Sequence, residues 1–323
     1  MRTISIFIKI ILIITGMNVL LSCLDPIRDK NRKKYTPEFC FEEACLPLGR
    51  AIYKGDTREA ERLIREKKID INALSSKSGF RFLYYACLME DLPMVKKLLQ
   101  LGADPNKISI DKTGKRKGIR ETNISFTVAR GNLKLTKLLL ENGANPNTPV
   151  GSLPLNVAMT HDNMQDYLNL LFKYGADANY PEYGDGKNSA QIALLGRHFQ
   201  LIHYFLDKGA DPLLLDMDGN SLAFSIQEEL AEFRGTEKAK KELESVRERL
   251  QNEYKIQFPI KADYRKGAML DIKRYEQLPR EIKDLSGMES DAKFIQKIKD
   301  SLALGKTYWG IDIEEVDQMT KVK

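Results

Sequence analysis

Three histidines and four cysteines are the first side chains to weigh for chemistry in this 323-residue chain. His198 and His203 are separated by about 140° around a helix, so they do not share a face for a metal ion. His161 stands in a loop between two helical stretches, and all three read as solvated or packing side chains. No serine sits in a GxSxG elbow. Ala303 to Thr307, ALGKT, has the ending of a phosphate-cradling loop. Asp300, however, stands where the first glycine must be, and no hydrophobic strand precedes it. Asp216 to Ser221, DMDGNS, lacks the alternating oxygen ligands and closing glutamate of a calcium loop, and a tight turn accounts for it. Acid, base and nucleophile do not converge anywhere, which predicts a non-enzymatic chain with no cofactor, no metal and no small-molecule substrate. Cys40 and Cys45 could pair across an irregular N-terminal segment, leaving Cys87 buried as a small apolar residue. Equally, all three stay reduced, because that separation inside a helix points the thiols apart.

Cys23 is different. It ends the tetrapeptide Leu20, Leu21, Ser22, Cys23, which closes an apolar run from Ile10. That run is short of the roughly 20 residues a membrane span needs, and Arg2 and Lys9 give it the positive flank of a secretory leader. The tetrapeptide resembles the lipobox of a bacterial lipoprotein signal peptide, although an uncleaved anchor or an ordinary leader ending in cysteine also fits the residues. The resemblance implies loss of residues 1–22 and attachment of a diacylglyceryl group, with palmitate-like chains, to the Cys23 thiol. Each buried methylene adds about 0.8 kcal/mol, so two or three chains anchor stably. It further implies a membrane-anchored protein of the bacterial envelope facing the periplasm. Aspartate directly after the cysteine would retain such a protein at the inner membrane. Here Leu24 precedes Asp25, which favours the outer membrane. Residues 23–37 read as a tether.

With 30% charged and 42% hydrophobic residues the chain can build a sizeable core. Nothing after Cys23 is apolar for long enough to cross a membrane again. Of 51 Lys and Arg, two lie in the leader, and the remainder nearly balance 45 Asp and Glu. So slight an excess does not point to nucleic acid.

Internal repetition organises most of the chain. One phrase recurs: LGADPN at Leu101 to Asn106, NGANPN at Asn142 to Asn147, YGADAN at Tyr174 to Asn179 and KGADPL at Lys208 to Leu213. A second phrase, LPLGRAI at Leu46 to Ile52 and LPLNVAM at Leu153 to Met159, has weaker copies near Phe82, Asn123, Ala190 and Leu222. The phrases resemble the end and the start of an ankyrin repeat. Turn positions then fall at Ala44, Gly79, Arg120, Gly151, Gly186 and Gly219, at intervals of roughly 31 to 41 residues around the ankyrin period of about 33. The first copy has Lys68 in place of the closing glycine, and the last loses the pattern after Ile226.

The resemblance implies an all-α fold, an ankyrin-repeat solenoid of about six helix-turn-helix repeats with β-hairpin-like fingers over residues 38–255, plus a helical C-terminal extension over 256–323. Pro47 and Pro154 suit a first helical turn. A glycine after the second helix suits a left-handed backbone, and small residues such as Ala51, Ala86 and Ala158 let paired helices approach. One helix pair cannot cover its own apolar face, so stacking supplies stability. Gln227 to Tyr254 reads as one long amphipathic helix that caps the stack. In the extension, Asp263 to Tyr275, Pro279 to Leu285 and Asp291 to Leu304 look helical, and Thr307 to Val316 holds the only tryptophan, Trp309. Either the extension packs along the last repeat or it orders on binding; its aromatic and aliphatic content favours packing.

Ankyrin stacks bind proteins through the fingers and the inward face of the first helices, which the resemblance makes an extended concave surface. The longest interval lies between Gly79 and Arg120, in a finger carrying Lys107, Lys112, Lys115, Arg116, Lys117 and Arg120 against Asp111. Such a finger would meet an acidic partner or phospholipid headgroups, or be a solvated loop. Alignment places Arg50, Tyr85, Phe126, Val157 and Ile192 on the inner face, with Tyr180 and Tyr183 on the fourth finger; Phe126 also suits a core. Ankyrin lipoproteins of this layout resemble immunity proteins that neutralise secreted antibacterial effectors, especially periplasm-acting lipases. The expected function is therefore capture of one protein partner, such as a phospholipase effector; the rival is a general envelope scaffold or stabiliser of a resident enzyme.

Overall fold

A computed structural model describes residues 26–113, 118–285 and 288–319. Cys23, the leader, and Lys115, Arg116 and Lys117 lie outside the described residues. The chain divides into two compact units, Met1–Lys115 and Arg116–Lys323.

The first unit opens with helices α1 (Pro26–Lys34) and α2 (Pro37–Cys40). Two helix pairs follow, α3 (Leu46–Lys54) with α4 (Thr57–Glu66) and α5 (Phe82–Leu88) with α6 (Leu92–Gln100), then a short strand β1 (Ser109–Ile110). Local chemistry sets these boundaries. Pro47 occupies the first turn of α3, and Gly55 ends that helix at φ 73, a conformation glycine takes without steric cost. Asp56 caps α4 and Asp91 caps α6, each accepting a backbone N–H at 3.0 Å, which satisfies one of the orphan donors of a helix start. Lys68, standing where later copies have glycine, still adopts the left-handed turn at φ 54. The repeat geometry thus prevails over the side chain's preference.

Within this unit α3 packs on α5 and α4 on α6, first helix on first and second on second. Leu48, Ile52, Phe82, Tyr85, Met94 and Leu98 are fully buried between them; each such apolar side chain contributes roughly 1.5–3 kcal/mol. Phe41, following α2, stacks on Phe82 and meets Tyr85 edge-on, both at 5.0 Å. A Cβ at Gly49 would come within 2.5 Å of that Phe41 ring, so α3 carries glycine on the face that α2 covers. The single antiparallel bridge Leu74–Arg81 closes the unit's finger.

The second unit begins at strand β2 (Arg120–Glu121). Four pairs follow: α7 (Asn123–Ala129) with α8 (Leu133–Glu141), α9 (Pro154–Ala158) with α10 (Met164–Lys173), α11 (Ser189–Leu195) with α12 (Phe199–Asp207), and α13 (Leu222–Ala231) with α14 (Glu237–Asn252). Successive first helices pack on one another; α8 packs on α10 and α12 on α14, while α10 meets α12 through Phe172 and Tyr204. An asparagine ladder joins their loops. Asn147 donates to Gly175 O at 2.9 Å and accepts from Asp177 N at 2.8 Å; Asn179 repeats this with Gly209 O at 2.8 Å and Asp211 N at 2.6 Å. Asn72 makes the same pair of bonds to Gly102 and Asp104 in the first unit.

Each unit has the paired-helix, repeat-like architecture of an ankyrin-repeat solenoid, and the second adds extra C-terminal helices. One sequence expectation is corrected. Gln227 to Tyr254 is not one helix: α13 ends at Ala231 and α14 starts after Thr236, whose hydroxyl accepts from Ala239 N at 3.2 Å. Gly235 and this cap break the helical run, so the sixth copy is a full pair whose second helix is long. The extension holds α15 (Tyr264–Gln277), α16 (Arg280–Lys283), α17 (Met288–Ala303) and α18 (Ile313–Met319). It packs rather than standing free: Tyr264, Ala268, Ile295, Ile298 and Ile313 form a cluster seated on Met217 of the last finger. Among the described residues no helix is long and apolar enough to cross a membrane.

Candidate recognition site on the fingers

In the second unit each finger is a tight turn. Gly186 N donates to Glu182 O at 3.0 Å in one, and Asp216 N donates to Asn220 O at 3.0 Å in the next. Neighbouring fingers are joined by Met217 N donating to Asp185 O at 3.0 Å. The extension continues that row, because Asp263 N donates to Gly219 O at 2.9 Å as a further finger would. Asp263 then caps α15 by accepting from Lys266 N at 2.9 Å. One turn on, a Cβ at Gly267 would lie 2.4 Å from Asp216 O and Gly219 N. Only glycine lets α15 lie this close to the finger backbone.

This docking engages residues that the sequence placed on a binding surface. Arg120 pairs with Asp291 of α17 at 2.9 Å and lies over the Tyr183 ring, 5.5 Å from its centroid. The Tyr183 hydroxyl donates to the same carboxylate oxygen at 2.7 Å. Burial and the adjacent Asp291 carboxylate raise the Tyr183 pKa, so the phenol stays protonated. Tyr180 and Tyr183 are half-buried and line a cavity of about 460 Å³ between the fourth finger and the extension. Pro149, Pro181 and Leu214 extend its finger side, while Leu270, Leu278, Phe294 and Ile295 close it from the extension. Asp271 and Arg274 of α15 supply charge on the wall.

The other candidates are dispersed. Arg50 is exposed and pairs with Glu38 at 2.8 Å. Lys112 reaches back to Ser76 O at 3.4 Å. Tyr85 and Phe126 are core residues, 0% and 3% exposed; for Phe126 this is the core alternative, and for Tyr85 it differs from the expected open face. Tyr85 donates its hydroxyl to Tyr35 O at 2.7 Å, so α1 and α2 cover the side on which the alignment expected solvent. Val157 and Ile192 are half-buried. Asp271, Arg274, Asp291 and Phe294 were not legible as site residues, since no repeat phrase marks which surface the extension meets.

The remaining reactive side chains serve structure. Cys40, Cys45 and Cys87 are free thiols and buried. His203 Nε2 meets Ser245 Oγ at 3.1 Å, and burial lowers its pKa. Asp216 Oδ1 accepts from Asp218 N at 3.0 Å and Asn220 N at 2.8 Å, while Ser221 caps α13. DMDGNS is thus a turn that starts a helix. The Gly-Lys-Thr of ALGKT follows α17 instead of opening a helix, so it lacks the strand-to-helix setting of a phosphate loop. Among the described residues no group of three or more His, Cys, Asp or Glu could hold a metal ion.

Residues 48–99 match the family model described as ankyrin repeats (many copies). The ankyrin repeat domain of Bcl-3, a member of the IkappaB protein family, is similar at 18% identity and a TM-score of 0.49, covering 63% of this chain and 85% of that one. The ankyrin repeat protein EF0377 is similar at 18% identity and a TM-score of 0.46, covering 64% of this chain and 97% of that one. Residues 48–99 thus match ankyrin repeats, and the helix pairs of both units have the repeat-like arrangement of an ankyrin-repeat solenoid.

Proposed function

We propose that this chain is a protein-binding module of the bacterial envelope, lipid-anchored through Cys23, that neutralises a secreted effector acting in the periplasm. The observation that carries the binding role is the stacking of helix pairs within each unit, two in the first and four in the second among the described residues, whose fingers present side chains to a partner. Recognition needs a surface and no reacting group, and that is what such a stack supplies. The lipobox-like Leu20 to Cys23 supports the anchor. A phospholipase fits as the target class, since a tethered inhibitor is concentrated at the membrane where that enzyme would act. The run Lys115, Arg116 and Lys117 supports recognition of an acidic surface.

Co-expression tests the reading. Cells that export a periplasm-acting phospholipase effector of the proposed target class should survive when the chain is present and die when it is absent. Cys23→Ser should release the protein from membranes and weaken protection. Reversing Lys115, Arg116 and Lys117 to glutamate should slow association at low salt, because rim charges act mainly on the encounter rate. No protection by the unaltered chain removes the inhibitor role, and a neighbouring resident enzyme that gains stability from the chain would establish the scaffold instead.

A further inference from the structure

The cavity beneath Tyr180 and Tyr183 has charge as well as shape. Its volume of about 460 Å³ lies within the range of roughly 300–1,000 Å³ typical of sites that hold a discrete group. Three carboxylates line it, Glu182, Asp271 and Asp291, against one guanidinium, Arg274. Two of the three are committed. Glu182 accepts from Leu153 N at 3.2 Å and from the Asn156 amide, and Asp291 is held by Tyr183 and Arg120.

Asp271 is the remaining acceptor. Its closest cation is Arg274 Nη1 at 4.0 Å, outside hydrogen-bond reach, and its side chain is only 14% exposed. Arg274 Nη2 donates to Leu215 O at 3.0 Å, while its Nη1, the atom nearest Asp271, is buried without a hydrogen-bond partner. Burial raises the Asp271 pKa, as expected of a carboxylate that lacks a close donor. The rings of Tyr180, Tyr183 and Phe294 share the cavity wall, and such faces attract a cation within about 6 Å. An apolar, aromatic wall with an acid held only by a long ion pair suits a long hydrocarbon stem that ends in positive charge.

We propose that this cavity receives an arginine or lysine side chain of the bound protein, its stem among Tyr180, Tyr183 and Phe294 and its cationic head on Asp271. The proposal rests on the protein-binding reading above and names the part of the partner that would enter. Aromatic pockets that desolvate one basic anchor are a common source of interface affinity.

Calorimetric titration of the full chain in mild detergent with hexylguanidinium, hexanoate and hexanol tests it without any partner. Hexylguanidinium should bind in the millimolar range or tighter, with hexanoate and hexanol at least tenfold weaker. Asp271→Asn should weaken hexylguanidinium binding tenfold or more, and Leu214→Trp, which fills the cavity from the finger side, should abolish it. Should Asp271→Asn fail to fold, the ranking of probes on the unaltered chain and the Leu214→Trp result decide the matter. Hexanoate or hexanol binding as tightly as hexylguanidinium would overturn the proposal, as would no binding of any probe or full affinity in folded Asp271→Asn. Since no partner is present, failure here leaves the protein-binding reading standing, and loss of that reading leaves the probe ranking readable.

Discussion

The Tyr183 hydroxyl donates to Asp291 at 2.7 Å, tying the fourth finger to α17 across more than a hundred residues of sequence. Arg120 reaches the same oxygen at 2.9 Å with a side chain only 13% exposed. Asp291→Ala should leave that guanidinium without its carboxylate and cost about 1–3 kcal/mol, less than a fully buried pair because Asp291 is 27% exposed. Thermal unfolding measures this, and an unchanged melting temperature would show that the clasp does not hold the extension.

Gly267→Val should detach α15 from the last finger. The added carbon meets Asp216 O and Gly219 N at 2.4 Å, and backbone atoms cannot move aside as a flexible side chain would. Overpacking of this kind costs about 1–3 kcal/mol. Trypsin should then cut the variant near Lys261, Arg265 and Lys266 while the unaltered chain resists. Equal protection in both would mean that the extension docks elsewhere.

Asp218 gives a pH signature. Its Oδ1 is buried without a hydrogen-bond partner, and burial together with Asp216 raises its pKa from the ordinary value of 3.8. A raised folded-state value means that the folded chain holds the proton more tightly than the unfolded chain. The resulting stability is present below the ordinary value and is lost as pH rises through the raised one. Asp218→Asn should therefore raise the melting temperature at pH 7, with the gain fading as pH falls below about 4. A gain that is the same at both pH values would point to a cause other than titration.

Buried thiols provide a fourth check. Burial pushes Cys40 up to about 12 and Cys45, aided by Glu42, up to about 11, and it raises Cys87 as well. At pH 8 only about one Cys45 thiol in a thousand is thiolate, and the thiolate is the reactive form. Iodoacetamide should leave all three unmodified in the folded chain and label all three in denaturant. Rapid labelling of Cys87 in the folded state would contradict its place in the core.

The repeats were legible because their phrases have positional duties. The glycines of LGADPN and its copies mark left-handed turns, and φ values of 96, 85, 87 and 87 at Gly102, Gly143, Gly175 and Gly209 match that duty. The closing asparagine had no role visible in sequence. Its bonds run to Gly175 and Asp177 from Asn147, one repeat away, and only the stack brings them together. Tyr85 misled for a related reason. It is fully buried and its hydroxyl donates to Tyr35 O, between α1 and α2, and no repeat pattern announces those helices. The extension was read as helical and packed, yet its seat on Gly219 depends on Gly267 lacking a side chain, a packing fact with no periodic signal. For the same reason Asp271 and Phe294 gave no hint of a shared cavity with Tyr180.

Titration of the full chain against a secreted phospholipase, the target class proposed above, tests the central claim most directly, with heat of binding and effector activity followed in one experiment. Recognition without chemistry predicts a saturable complex of nanomolar affinity, with activity falling in proportion to complex formed and the effector recovered covalently unchanged. Loss of activity at substoichiometric chain, or an effector cleaved or modified afterwards, would contradict that claim, as would a titration showing neither heat nor inhibition.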